Sequence, residues 1–155
     1  MQENRKLTVG FRGILAGALA ASVFGALFIA GAASADMQIV NDPGGEVSSY
    51  LRTFYKVRAT GERIVIDGPC LSACTMLLGV IPRNRICVTP RAVLAFHSAW
   101  DPTPAGVQDS SAGNAYLWAN YPGDVRKWIA RHGGLHARII YLSGRELTAM
   151  YPLCR

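Results

Sequence analysis

Ser72 stands between Cys70 and Cys74 in the stretch GPCLSACTMLLG (68–79), and His97 follows 25 residues later in AVLAFHSAW. A serine hydroxyl becomes a good nucleophile only when a neighbouring base takes its proton, and histidine is the commonest such base. The pair therefore spells acyl transfer, provided the chain folds the two together. The blander alternative is that Ser72 caps a helix, serine being a preferred N-cap, and that His97 is a satisfied buried histidine. Upstream, NDPGGEV (41–47) supplies adjacent glycines, which tolerate backbone angles other residues avoid and let main-chain amides approach a reacting group closely.

The flanking cysteines compete for the same chemistry, since a thiolate at a helix start has a lowered pKa. Cys70, Cys74, Cys87 and Cys154 are the only cysteines. An even count in an exported chain argues for two disulfides. Cys74 falls about one helical turn beyond Cys70, and the expected pairing sends one bridge from this couple to Cys87 and one to Cys154. The second bridge would draw the C-terminal tail against the site. The spacing lacks the close couples of a structural zinc motif, so no metal is expected. The three residues between Cys70 and Cys74 also exceed the two-residue spacing of thiol-disulfide oxidoreductases, which makes that activity a distant third reading.

Export is read from residues 1–35. Arg5, Lys6 and Arg12 precede the apolar run ILAGALAASVFGALFIAGAA, and ASA before Asp36 forms a small-residue cleavage site. A cleaved signal peptide and a periplasmic or secreted product are expected; retention as an inner-membrane anchor is the alternative, since the uncharged stretch approaches the roughly 20 residues of a bilayer span. Residues 36–155 then form a single domain of net charge +4, with 13 Lys and Arg against 9 Asp and Glu. The basic residues are scattered singly, without an aromatic ladder, which argues against nucleic-acid binding.

The elements that must position these groups alternate. MQIV (37–40) reads as a strand, and Val47, Tyr50, Leu51, Phe54 and Tyr55 recur at helical spacing over 46–56. RIVIDG returns as a β-branched strand, the chain turns at Gly68, SACTMLLGV is a buried helix, and RICVTP and AVLAFH are further strands. This order predicts an α/β domain of crossover βαβ units around a mostly parallel sheet, with sites at strand carboxyl ends. Beyond it, DPTPAGVQDSS reads as loop, AGNAYLWANY as a helix, and PGDVRKWIA as a helix with Val125, Trp128 and Ile129 on its apolar face. Gly133 and Gly134 stop that helix, leaving His132 and His136 as helix-end or surface residues. SGRE (143–146) has the form of a capping box, with Leu142 as its staple.

NDPGGEV, GPCLSACTMLL and AVLAFHSAW, in that order and register, resemble the glycine-pair turn, serine segment and histidine strand of the Clp protease proteolytic subunit, within the crotonase-fold superfamily. The resemblance covers about Ile39 to Trp100. It implies a ClpP/crotonase-like domain in which Ser72 is the nucleophile, His97 the general base, and the amides of Gly45 and Ala73 the oxyanion hole, with no cofactor. It also implies a peptide or unfolded segment as substrate and leaves a homo-oligomer open, although the family's ring-forming handle is replaced here by the Pro- and Gly-rich stretch after Trp100.

The pattern departs at the triad acid. Ile139 or Ile140 occupies the position the resemblance assigns to an aspartate, and no carboxylate lies between Asp124 and Glu146. Glu146 belongs to the capping box, while Asp101 and Asp124 remain as substitutes outside the expected segment. Two functions follow: an exported serine hydrolase, a peptidase using Ser72 and His97, or a catalytically inactive binding or assembly module of the same fold.

Overall fold

The computed structural model describes residues 35–155, so the signal-segment expectation falls, save for Ala35, outside the described residues. The first strand, β1 (Met37–Ile39), runs parallel to β2 (Ile64–Ile66), and helix α1 (Val47–Thr60) connects them. Strand β4 (Ile86–Val88) extends the sheet in the order β1-β2-β4, parallel throughout. The residues of β2 and β4 are Ile, Val and Cys, and Ile64, Ile66, Ile86 and Val88 are fully or nearly fully buried, as expected for strands covered on their faces.

Helix α1 forms because Val47, Tyr50, Leu51, Phe54 and Val57 repeat at three- and four-residue spacing, and it buries Phe54 and Val57. It ends at Gly61 in the left-handed conformation (φ 83°). Carbonyls of its last turn are taken by Arg85, whose guanidinium donates to Val57 O at 3.0 Å and Arg58 O at 3.1 Å.

The chain does not turn away at Gly68. It continues into β3 (Pro69–Leu71), which pairs in parallel with β5 (Val93–Phe96), and β8 (Ile140–Ser143) completes this second sheet antiparallel to β5. A Cβ on Gly68 would lie 1.9 Å from Val40 O, so the missing side chain lets the end of β1 cross close by. Apart from a two-stranded sheet formed later in the chain, the single mostly parallel sheet expected is thus replaced by two three-stranded ones, with parallel and antiparallel pairs. They are joined through Asp42, which donates its amide to Pro69 O and accepts from Leu71 N.

After β3 a 3-10 turn (Ser72–Met76) leads into α2 (Leu77–Val80). The stretch after His97 is no loop: it forms the antiparallel hairpin β6 (Trp100–Thr103) and β7 (Gly106–Asp109), with Gly106 at positive φ allowing the turn. Helices α3 (Ser111–Asn120), α4 (Gly123–Arg131) and the short α5 (Gly144–Thr148) follow. Val125, Trp128 and Ile129 of α4 are buried, and Phe96 meets Tyr121 edge-on at 5.3 Å and Trp128 at 5.9 Å. Burying each such ring contributes about 1.5–3 kcal/mol. Gly133 and Gly134 stop α4 at positive φ, and His132 stacks on Trp128 at 4.0 Å. The expected capping box is not made, for Ser143 precedes α5 without a side-chain capping bond. Among the described residues no helix is long and apolar enough to cross a membrane.

Candidate functional site

Ser72 is not a helix cap. Leu71 occupies the N-cap position, and the Ser72 hydroxyl makes no hydrogen bond among the described residues. Its backbone instead adopts φ 54°, the only positive φ of a non-glycine residue among those described. Such a conformation costs about 1–3 kcal/mol and persists only where the surroundings over-determine it.

Three contacts do so. The Cys70–Cys74 disulfide closes a loop around Ser72, with both cysteines fully buried. The hydroxyl of Thr75 donates to Ser72 O at 2.7 Å. That donation spends the only hydroxyl proton of Thr75, so Tyr121, 2.8 Å away, must be the donor in their mutual bond. Burial pushes the Tyr121 phenol up to about 12, which keeps it neutral for this task. From the other side Gly44, at φ 81°, presses on the turn: a Cβ there would fall 2.5 Å from Leu71 O and 2.6 Å from Ser72 Cβ. Asp42 fixes this glycine turn by accepting from Gly44 N at 2.8 Å and from the Tyr50 hydroxyl. Burial and that carboxylate raise Tyr50 to about 12.

The segment after β5 is equally pinned. Ser98 N donates to His136 O at 2.9 Å, Ala99 N to Asn114 Oδ1 at 2.6 Å, and Ser110 N to Ala99 O at 2.9 Å. The His97 Nδ1 atom lies 2.7 Å from Ser98 O. A carbonyl oxygen only accepts, so the neutral ring carries its proton on Nδ1 and leaves Nε2 with a lone pair.

Ser72, His97, Gly44, Gly45 and Ala73 line one cavity of about 950 Å³. Leu51, Trp100, Tyr116, Leu117 and Tyr121 give much of its remaining wall an apolar and aromatic character. No hydrogen bond joins Ser72 to His97 among the described residues, although they face the same space. The Ala73 amide sits in the first turn of a helical segment, where amides lack intrahelical partners, and it lies 3.1 Å from the point a Gly44 Cβ would occupy. Glycine turn and serine turn are therefore side by side, and the cavity can admit a carbonyl compound between a hydroxyl, an imidazole and main-chain amides. Among the described residues no three His, Cys, Asp or Glu side chains gather to hold a metal ion.

The cysteine pairing differs from expectation. Cys70 pairs with Cys74, their Cα atoms 5.3 Å apart, and Cys87 with Cys154, at 5.0 Å. The strand-to-turn reversal at Ser72 folds Cys74 back on Cys70, which a regular helix would not. Cys154 is delivered to β4 instead by main-chain bonds, Val88 N to Pro152 O and Cys154 N to Val88 O, both 3.0 Å. The tail consequently lies along β4 and not at the site.

As for acids, Asp101 lines the cavity but is exposed, whereas Asp124 ion-pairs with Arg83 at 2.7 Å and does not reach it. Glu146 is exposed on α5 and does not line it either. A second hollow, of about 400 Å³, shares His97 and Ser98 with the first and is also lined by Ile139 and Asp109. Asp109 accepts the Ser98 hydroxyl at 2.7 Å. Sequence reasoning passed over Ser98, Asp109, Thr75 and Tyr121. The adjacency of Ser98 to His97 and the place of Thr75 three residues after Ser72 were the local signals, whereas Asp109 and Tyr121 reach the site only through tertiary contacts. No protein-family model matches this chain, and a search of curated proteins returns no match.

Proposed function

We propose that the protein is an exported serine hydrolase, a peptidase of the Clp-subunit-like, crotonase-related type, acting with Ser72 and His97. The observation that carries this reading is the strained backbone of Ser72, whose free hydroxyl faces a cavity it shares with His97. A cap or a purely structural serine has no use for a costly conformation, whereas a nucleophile must be held out from the chain toward its substrate.

In this mechanism Ser72 Oγ attacks the substrate carbonyl as its proton passes to His97 Nε2, forming a tetrahedral oxyanion. The Gly45 and Ala73 amides donate to that oxygen, each worth about 3 kcal/mol in comparable sites. The imidazolium then returns the proton to the leaving amine, the C–N bond breaks, and an acyl-serine remains. Water, deprotonated by His97, releases the acid and regenerates the hydroxyl. A main-chain carbonyl, that of Ser98, orients the ring where a triad would use a carboxylate. The two disulfides fit the oxidising compartment that export would provide.

The second reading, an inactive binding or assembly module of this fold, is favoured by the absence, among the described residues, of a carboxylate hydrogen-bonded to His97. Labelling with a fluorophosphonate probe separates the two. Covalent modification of the oxidised protein that disappears in both Ser72→Ala and His97→Ala supports the hydrolase. A folded protein that takes no label sinks it and leaves the cavity as a binding site for apolar peptide segments.

A further inference from the structure

Resting on that reading of Ser72 and His97, we propose that Asp109 is the positioning acid of the pair and acts on His97 through Ser98. The observations form one chain of contacts. The Nδ1 proton of His97 is given to Ser98 O at 2.7 Å, and the Ser98 hydroxyl is given to Asp109 Oδ1 at 2.7 Å. Ser98 is only 2% exposed, and its carbonyl shares a peptide plane with the Ala99 amide, which donates to Asn114 Oδ1 at 2.6 Å, so the carbonyl cannot swing away from the ring without breaking that bond as well.

The hairpin explains how a carboxylate arrives there. In its register Asp109 lies opposite Trp100, three residues after His97, and this places Asp109 and His97 on the wall of the same 400 Å³ hollow. The aliphatic Ile139 lines that hollow too, so the space beside the imidazole is served by an acid from the hairpin and not from the strand that follows α4. An anion there stabilises the imidazolium that forms when Ser72 is deprotonated, while the carbonyl between them fixes the tautomer.

Other ionisable groups near His97 are less suited. Glu46 lines the first cavity, but its carboxylate is taken by the Ser48 and Ser49 hydroxyls, with Arg52 at 3.9 Å. Asp101 is exposed on the same cavity wall, and Tyr116 and Tyr121 also line it, the Tyr121 hydroxyl being engaged with Thr75. On the loop packed against Ser98, His136 and Arg138 contribute no negative charge.

The test is the tautomer of His97, read from ring ¹⁵N shifts by long-range ¹H–¹⁵N NMR above pH 8, together with the fluorophosphonate labelling rate. The oxidised full chain is compared with Asp109→Ala, Ser98→Ala and Asp109→Glu. The expected result is a single Nδ1–H tautomer in the unaltered protein and a mixture of tautomers in Asp109→Ala and Ser98→Ala. Labelling should slow in both by up to about 100-fold, the penalty of misplacing a catalytic group. Asp109→Glu, which keeps the carboxylate on an exposed hairpin, should restore much of both. An ordered tautomer lost in Asp109→Ala, in a protein that never labels, supports Asp109 and sinks the hydrolase reading. An unchanged tautomer in Asp109→Ala overturns the proposal, as does an Nε2–H tautomer in the unaltered protein.

Discussion

Cys70–Cys74 closes a sequence separation of four around Ser72, whereas Cys87–Cys154 spans 67 residues and fastens the C-terminal tail to β4. In the chain-entropy account a cross-link stabilises by restricting the unfolded state, and the gain grows with the logarithm of the loop. The long bridge is then worth about 4 kcal/mol and the short one about 2 kcal/mol. Their surroundings reverse that ranking for function. The short bridge encloses a strained serine on a cavity wall, while the long one joins the edge of a sheet to a tail that does not line the cavity. One bridge holds a conformation and the other holds the fold.

The largest expected effect comes from removing the long bridge. Cys87→Ala with Cys154→Ala should lower the unfolding free energy in urea by about 4 kcal/mol, yet the fraction still folded should take the fluorophosphonate probe at an unaltered rate. A labelling rate that falls with stability would show that the tail reaches the site, contrary to its place along β4.

Removing the short bridge should do the opposite. Cys70→Ala with Cys74→Ala is expected to cost about 2 kcal/mol by urea titration and to slow labelling far more than the loss of folded protein explains. The released turn relaxes away from positive φ and carries the hydroxyl with it. Equal labelling in the double variant would mean that Gly44, Thr75 and Tyr121 hold the turn without help.

How far the sequence foretold this contrast depends on what kind of contact made each feature. Helix α1 and the apolar face of α4 were legible because a period of three to four residues is a local property. Ser72, His97, Gly45 and Ala73 were legible as a group from motif order, and they do share a cavity. The pairing of Cys70 with Cys74 was not, because a regular helix holds the Cβ atoms of residues four apart about 5–6 Å from each other, too far for a disulfide, and the chain instead passes from strand into a 3-10 turn at Ser72. The hairpin was hidden by Pro102, Pro104 and Gly106, which read as loop until cross-strand bonds are known. Asp109 went unseen for the same reason, since its tie to Ser98 exists only once the hairpin forms.

Strain at Ser72 gives a third test, smaller and of opposite sign. Ser72→Gly removes a left-handed penalty of about 1–2 kcal/mol, offset by about 0.4–1 kcal/mol from the freer unfolded chain. The variant should therefore be more stable by up to about 1.6 kcal/mol while losing all labelling. Ser72→Ala loses labelling too but keeps the penalty, so its urea midpoint should stay near that of the unaltered protein. A Ser72→Gly variant less stable than Ser72→Ala would remove the strain argument from the site.

The smallest effect belongs to the tail region and sharpens the comparison by pH. Burial opposes ionisation of Asp124, but hydrogen bonds from Arg83 and the Val125 amide outweigh it and leave the carboxyl below its ordinary value. Arg83 also reaches the tail, donating to Met150 O at 3.1 Å and lying over the Tyr151 ring at 4.8 Å. A carboxyl depressed in the folded state contributes stability above the unfolded value near about 4, and loses it as pH falls through the folded value. With side chains 44% and 39% exposed the pair is heavily screened, so its worth is under about 1 kcal/mol. Asp124→Asn should lower the urea midpoint slightly at pH 7, and the gap to the unaltered protein should narrow by pH 3. Labelling of Ser72 at pH 7 should be untouched, because Arg83 and Asp124 act on the tail. A gap that stays constant from pH 7 to pH 3 would mean that the tail is held by its main-chain bonds to Val88 and by Cys87–Cys154, with the ion pair adding nothing.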